Sequence, residues 1–108
     1  MNRWGIPKGL ETEVRRRDKR CVYCGVSMRD RPNVRGVRKD TATWEHMDNR
    51  VENRRPENIA RCCGSCNSSK GAQKLQDWFK SGYCKGEKIN ADTVADVVKK
   101  WLRRHKHR

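Results

Sequence analysis

Two Cys-x2-Cys pairs, Cys21-Val22-Tyr23-Cys24 and Cys63-Gly64-Ser65-Cys66, constrain this chain more than any other feature. Positions 25 to 62, 38 residues, separate them. A two-residue spacer lets both sulfurs of a pair face one point, and zinc takes four thiolates in a tetrahedron at about 2.3 Å. Two such pairs fill that shell and leave no open position. The spacing therefore predicts a closed, structural zinc site on Cys21, Cys24, Cys63 and Cys66. Two disulfides, or simply buried thiols, are the alternatives. Cys62 could pair with Cys66 in place of Cys63, although alternation along a strand makes it a small core residue. Cys84 has no partner in either pair and reads as buried or free.

The chain needs such a staple. It has 108 residues, 33% hydrophobic and 37% charged, which supports one domain with a thin core. No apolar run reaches membrane-spanning length, and the N-terminal residues lack the apolar centre of a signal peptide. The expected setting is a reducing cytoplasm, where clustered cysteines hold metal more often than they form disulfides. The formal net charge is +14. That excess is an electrostatic footprint for a polyanion, with nucleic acid the leading candidate and an anionic membrane surface a weaker one.

Ile6, Leu10 and Val14 recur every four residues behind Pro7 and predict a helix over 7–18. Residues 28–40 carry Pro, Gly, Asn and many Arg or Lys, a basic loop or irregular hairpin. Thr41–His46 reads as a short strand, 48–57 as a polar loop and Asn58–Cys62 as the returning strand. The segment 64–79 reads as helical after its first turn, with Gly71 a candidate break. Residues 81–88 read as a linker. The clearest helix is the last segment, 90–108, capped by Asn90 or Asp92 and striped by Val94, Val97, Val98, Trp101 and Leu102. The chain divides into an N-terminal helix (1–20), a zinc-stapled core (21–80) and a linker with a basic C-terminal helix (81–108).

Between the cysteine pairs lies Thr43-Trp44-Glu45-His46-Met47, with the one histidine outside the basic tail. Asn67 follows the last cysteine directly. The set CVYC (21–24), EH (45–46), N (58) and CGSCNSSKG (63–71) resembles the HNH endonuclease family over about residues 20–75. The resemblance implies a small α+β fold: a ββα-metal, treble-clef-like core with structural zinc, flanked by N- and C-terminal helices. It implies His46 as general base, Glu45 and Asn67 as ligands of a catalytic divalent ion, and Asn58 as the residue that braces the loop and helps orient the histidine. The family's last position is often His, and here it is Asn. The proline often found shortly after the first histidine is absent. Products with 5′-phosphate and 3′-hydroxyl ends follow from the same resemblance.

The chemistry of these residue types agrees. A neutral imidazole, with an ordinary pKa of about 6.5, can take a proton from water near neutral pH. Two oxygen donors favour Mg²⁺ or Mn²⁺ over zinc and leave positions for phosphate and water. Adjacent strand residues point to opposite faces, so Glu45 and His46 serve one site only if regular pairing stops at about His46. Lys70, Arg50, Arg54, Arg55, Arg35 and Arg38, with the cations ending the first helix, are candidate phosphate contacts; most such contacts position duplex DNA without reading bases. The four tryptophans read as core or rim packing. A monomer or weak dimer that nicks DNA is the expectation. The alternatives are a zinc-stapled nucleic-acid-binding protein without catalysis and a ribonuclease using the same site.

Overall fold

The structure, a computed structural model, describes residues 4–30 and 39–105. Arg31, Arg35 and Arg38 of the expected basic loop, and the tail beyond His105, lie outside the described residues. In chain order the elements are α1 (Lys8–Arg17), β1 (Ala42–His46), β2 (Ile59–Cys63), α2 (Gly64–Lys70), α3 (Leu75–Trp78), α4 (Gly82–Glu87) and α5 (Asp96–His105). The result is a small α+β fold on a two-stranded antiparallel sheet.

The sheet register explains how the core divides. Ala42 pairs with Cys63, Thr43 with Cys62, Trp44 with Arg61, Glu45 with Ala60 and His46 with Ile59. Strand side chains alternate between faces. Thr43, Glu45, Ala60 and Cys62 therefore share one face, and Trp44, His46, Ile59 and Arg61 share the other. Ala60 and Cys62 join the larger core with Tyr23, Met47, Leu75, Trp78, Val98 and Trp101. Trp44 and Ile59 form a smaller cluster with Val14 of α1 and with Ile6, which lies just before that helix. Of the tryptophans, Trp44, Trp78 and Trp101 are buried and Trp4 packs against the smaller cluster.

α1 begins after Pro7, whose carbonyl accepts from the Glu11 N–H at 2.8 Å. Arg15, Arg16 and Arg17 end it, where cations complement the helix dipole. Its C-cap, Asp18, is buried and accepts from the Arg17 guanidinium at 2.7 and 2.8 Å and from the Arg61 N–H at 3.1 Å. Arg17 also donates to the carbonyls of Pro56 and Ile59. Asp18 and Arg17 thus fasten α1 to β2, so Arg17 is a structural side chain and not the phosphate contact expected of it.

Two further expectations are corrected. Residues 81–88 are not a linker: Ser81 accepts from the Cys84 N–H at 3.2 Å and caps α4, whose Cys84 is buried in the core. The last helix starts later than the caps suggested. Asn90 accepts from the Asp92 N–H at 2.8 Å within a separate turn, and the Ala95 N–H donates to the Val22 carbonyl before α5 begins at Asp96. Gly71, at φ +52°, does end α2, a backbone conformation that side chains disfavour. No helix among the described residues is long and apolar enough to cross a membrane.

Candidate functional site

The four expected zinc ligands converge. The sulfurs of Cys21, Cys24, Cys63 and Cys66 all lie within 4.8 Å of one another. Zinc–sulfur bonds of about 2.3 Å in a tetrahedron require sulfurs about 3.8 Å apart, and Cys24 Sγ and Cys63 Sγ are 3.7 Å apart. Each pair is built as a knuckle. The Cys24 N–H points at Cys21 Sγ at 3.5 Å, with Gly25 at φ +81° turning the chain back, and the Cys66 N–H points at Cys63 Sγ at 3.4 Å. The second knuckle doubles as the start of α2, with Cys63 as its N-cap. Backbone N–H groups aimed at sulfur favour thiolate. Hydrogen bonds from Cys63 and Cys66 hold the Cys21 thiol far below the usual range, and giving those bonds drives the other two up. The cluster fits a metal ion such as zinc. Cys62 points to the other side of β2, and burial pushes its thiol up, as for an inert core residue.

The same clamp sets the second constellation. α2 leaves β2 directly, so Asn67 is laid against β1, where its Nδ2 donates to Thr43 Oγ1 at 2.8 Å and to the Trp44 carbonyl at 3.4 Å. Glu45 lies two residues past Thr43 on the same face. Its Oε2 accepts from Tyr23 at 3.0 Å and from the Lys70 ammonium at 3.1 Å. Burial raises the Glu45 pKa, and Lys70 works against that rise. Lys70 was expected to reach phosphate. It is instead 0% exposed, tied to Glu45 and, at 3.0 Å, to Asn49 Oδ1. The three-residue step from Asn67 to Lys70 does place both on one helix face, but that face looks inward.

His46 closes β1 on the opposite face. The strand ends there, as expected, yet His46 still pairs in register with Ile59, so its ring does not share Glu45's face. Its Nε2 is buried with no partner. Burial lowers its pKa below the usual imidazole range. The two faces meet at the outer edge of β1. The backbone of Arg61 bonds Val22 and Asp18, and that of Ile59 bonds Arg17 and Arg55, all away from β1. Their partners Trp44 and His46 therefore turn their own backbone groups to the outer edge. Asn67 sits at that edge, on the Trp44 carbonyl.

The loop 47–58 is braced by Asn58, which is 2% exposed. Its Oδ1 accepts from the Asp48 N–H at 3.0 Å and from Trp101 Nε1 at 3.2 Å. Its Nδ2 donates to Asp48 Oδ1 at 3.0 Å and to the Asn53 carbonyl at 3.1 Å. The side chain thus bonds the loop and α5, but not the His46 ring. Sequence reasoning missed Tyr23, Trp101 and Asp48 as parts of this assembly; only the position of Tyr23 inside the first knuckle hinted at a role. Of the expected phosphate contacts, Arg50, Arg54 and Arg55 are exposed on the loop, with Arg50 near Glu52 at 3.6 Å. Compared with family models, with curated proteins and with solved structures, the chain gives no match.

Proposed function

We propose that the protein is a metal-dependent endonuclease that hydrolyses DNA phosphodiester bonds, nicking one strand per event. One observation carries this reading. β1 ends in an imidazole whose Nε2 has no partner, the carboxylate of the adjoining Glu45 lies on the other face, and the Asn67 amide bonds the Trp44 carbonyl beside them. Glu45 Oε1, which takes neither the Tyr23 nor the Lys70 bond, and Asn67 Oδ1 are the oxygens left to an ion, while the His46 backbone N–H also bonds the Glu45 carboxylate. Two such oxygens fit a hard cation better than zinc. A bound Mg²⁺ or Mn²⁺ would supply stabilisation of charge on the phosphate and the leaving oxygen.

His46 takes a proton from water as the water oxygen bonds to phosphorus. The P–O3′ bond breaks, a solvent water protonates the 3′ oxygen, His46 returns its proton to solvent, and a 5′-phosphate and a 3′-hydroxyl remain. Arg50, Arg54 and Arg55 offer phosphate contacts on the adjacent loop without reading bases. Zinc on the four cysteines would hold α2 against β1 and take no part in the chemistry.

The test is relaxation of supercoiled plasmid with Mg²⁺ or Mn²⁺. Wild type relaxes it, and EDTA or His46→Ala, checked for native circular dichroism, abolishes relaxation. Equal activity in both proteins removes His46 from the mechanism. The Glu45–Lys70 ion pair favours a second reading, in which Glu45 is purely structural and the protein is a zinc-stapled nucleic-acid-binding module. That reading predicts DNA binding with no relaxation under any metal. A parallel digest of single-stranded RNA distinguishes a ribonuclease.

A further inference from the structure

Lys70 is the least expected charge in the fold. Its ammonium is fully buried within 3.1 Å of Glu45 Oε2. A buried ion pair is weak evidence for stability, because desolvation offsets most of its attraction. Its position points to a different consequence. Tyr23 and Lys70 both take Oε2, so they fix the carboxylate by one oxygen and turn the other away from themselves. Tyr23 lies between the zinc ligands Cys21 and Cys24, and Lys70 ends α2, three residues past Asn67. Asn49, at φ +64°, holds the ammonium from the far side. Its Oδ1 accepts from Lys70 while its Nδ2 donates to the Ala72 and Gln73 carbonyls.

We propose that Lys70 is a resident cation with which any divalent ion must share Glu45. It is a positioning residue that sets the affinity of that ion. This inference rests on the proposed ion site at Glu45 and Asn67. With Tyr23 and Lys70 on Oε2, Glu45 offers an ion one oxygen only. A divalent ion on that oxygen also meets a like charge on the same carboxylate, and close like charges in a desolvated site cost heavily. Removing Lys70 therefore leaves Glu45 without its counter-charge until an ion arrives. The protein without the ion is destabilised, and the ion binds tighter.

The experiment uses the zinc-loaded full chain and Mn²⁺, read by the loss of the free Mn²⁺ electron paramagnetic resonance signal. Lys70→Gln, which retains a hydrogen-bond donor for Glu45, binds Mn²⁺ tighter than wild type by about tenfold or more. Lys70→Arg keeps the charge and stays within about threefold of wild type. Glu45→Gln loses the binding. In a thermal melt without Mn²⁺, Lys70→Gln lies below wild type, and added Mn²⁺ raises its midpoint more than it raises that of wild type. Equal Mn²⁺ affinity in Lys70→Gln and wild type overturns the role of Lys70 and leaves the nuclease reading intact. Absence of Glu45-dependent Mn²⁺ binding in every protein overturns both. Should Lys70→Gln fail to fold, the Lys70 side-chain ammonium resonance of wild type decides. It shifts on Mg²⁺ titration if Lys70 shares Glu45 with the ion, and an unmoved resonance at saturating Mg²⁺ overturns the proposal.

Discussion

Asn58→Ala tests the loop most directly. Four hydrogen bonds are lost: two accepted by Oδ1 from Asp48 N–H and Trp101 Nε1, and two donated by Nδ2 to Asp48 Oδ1 and the Asn53 carbonyl. They are not equivalent. Trp101 is buried at 6% exposure, so its indole N–H is orphaned and costs about 1–3 kcal/mol. The groups on Asp48 and Asn53 are half-buried and regain water, so each loses only the net value of about 0.5 kcal/mol. The total is about 3 kcal/mol, a large share of the roughly 5–15 kcal/mol that holds a domain together. At about 4 °C per kcal/mol for a chain of this size, the melting midpoint falls by about 12 °C. The assay is urea unfolding with zinc held saturating, because metal loss lowers stability independently. The urea midpoint drops while the slope stays constant. A Trp101→Phe cycle with Asn58→Ala isolates the bond across to α5, with an expected coupling of about 1 kcal/mol. A loss below about 1 kcal/mol in Asn58→Ala refutes the reasoning, since it means that water replaces the amide and the loop needs no brace.

Zinc removal by a chelator, or Cys63→Ser, abolishes cooperative melting and, with it, the circular dichroism of the helices, because the binding energy of the ion is folding energy in a core this thin. Acid destabilises the loop through Asp48. Burial alone would raise its pKa, but hydrogen bonds from Asn53, the Arg50 N–H and Asn58 outweigh that and hold it below the usual carboxylate range. A carboxylate with a depressed folded pKa stabilises fully above its unfolded value, about 3.9, and loses that contribution as pH falls through the folded value. Asp48→Asn therefore lowers the melting midpoint at pH 7 and converges with wild type in strong acid. A constant difference at all pH values refutes the assignment.

What could be read from the chain, and what could not, divides by the distance over which each feature is encoded. The knuckles, the α1 apolar period, the strand ending at His46 and the break at Gly71 are each specified within a few residues, and all are present in the fold. α4 was missed because Gly82 and Gly86 oppose a helix locally. What holds it is a Ser81 cap and the burial of Cys84, and the second belongs to the tertiary structure. The late start of α5 has the same origin: Asn90 has the right type for a cap, but it caps a turn, and the Val22 carbonyl fixes where Ala95 lies.

Lys70 is the instructive case. Its spacing from Asn67 was read correctly as one helix face, and the error lay in supposing that this face is open to solvent. In an α2 of seven residues, capped by Cys63 and stopped by Gly71, Asn67 and Lys70 lie on the face docked on β1, while Ser65 and Ser69 bond Tyr83 and Trp78 on another. A lysine there must find an acid or unfold the docking, and Glu45 is the carboxylate that the register turns toward it. The burial of Lys70 and the face on which Glu45 lies are therefore one fact. It follows from the four-cysteine clamp and the strand register taken together, and neither the EH pair nor the helix spacing implies it alone.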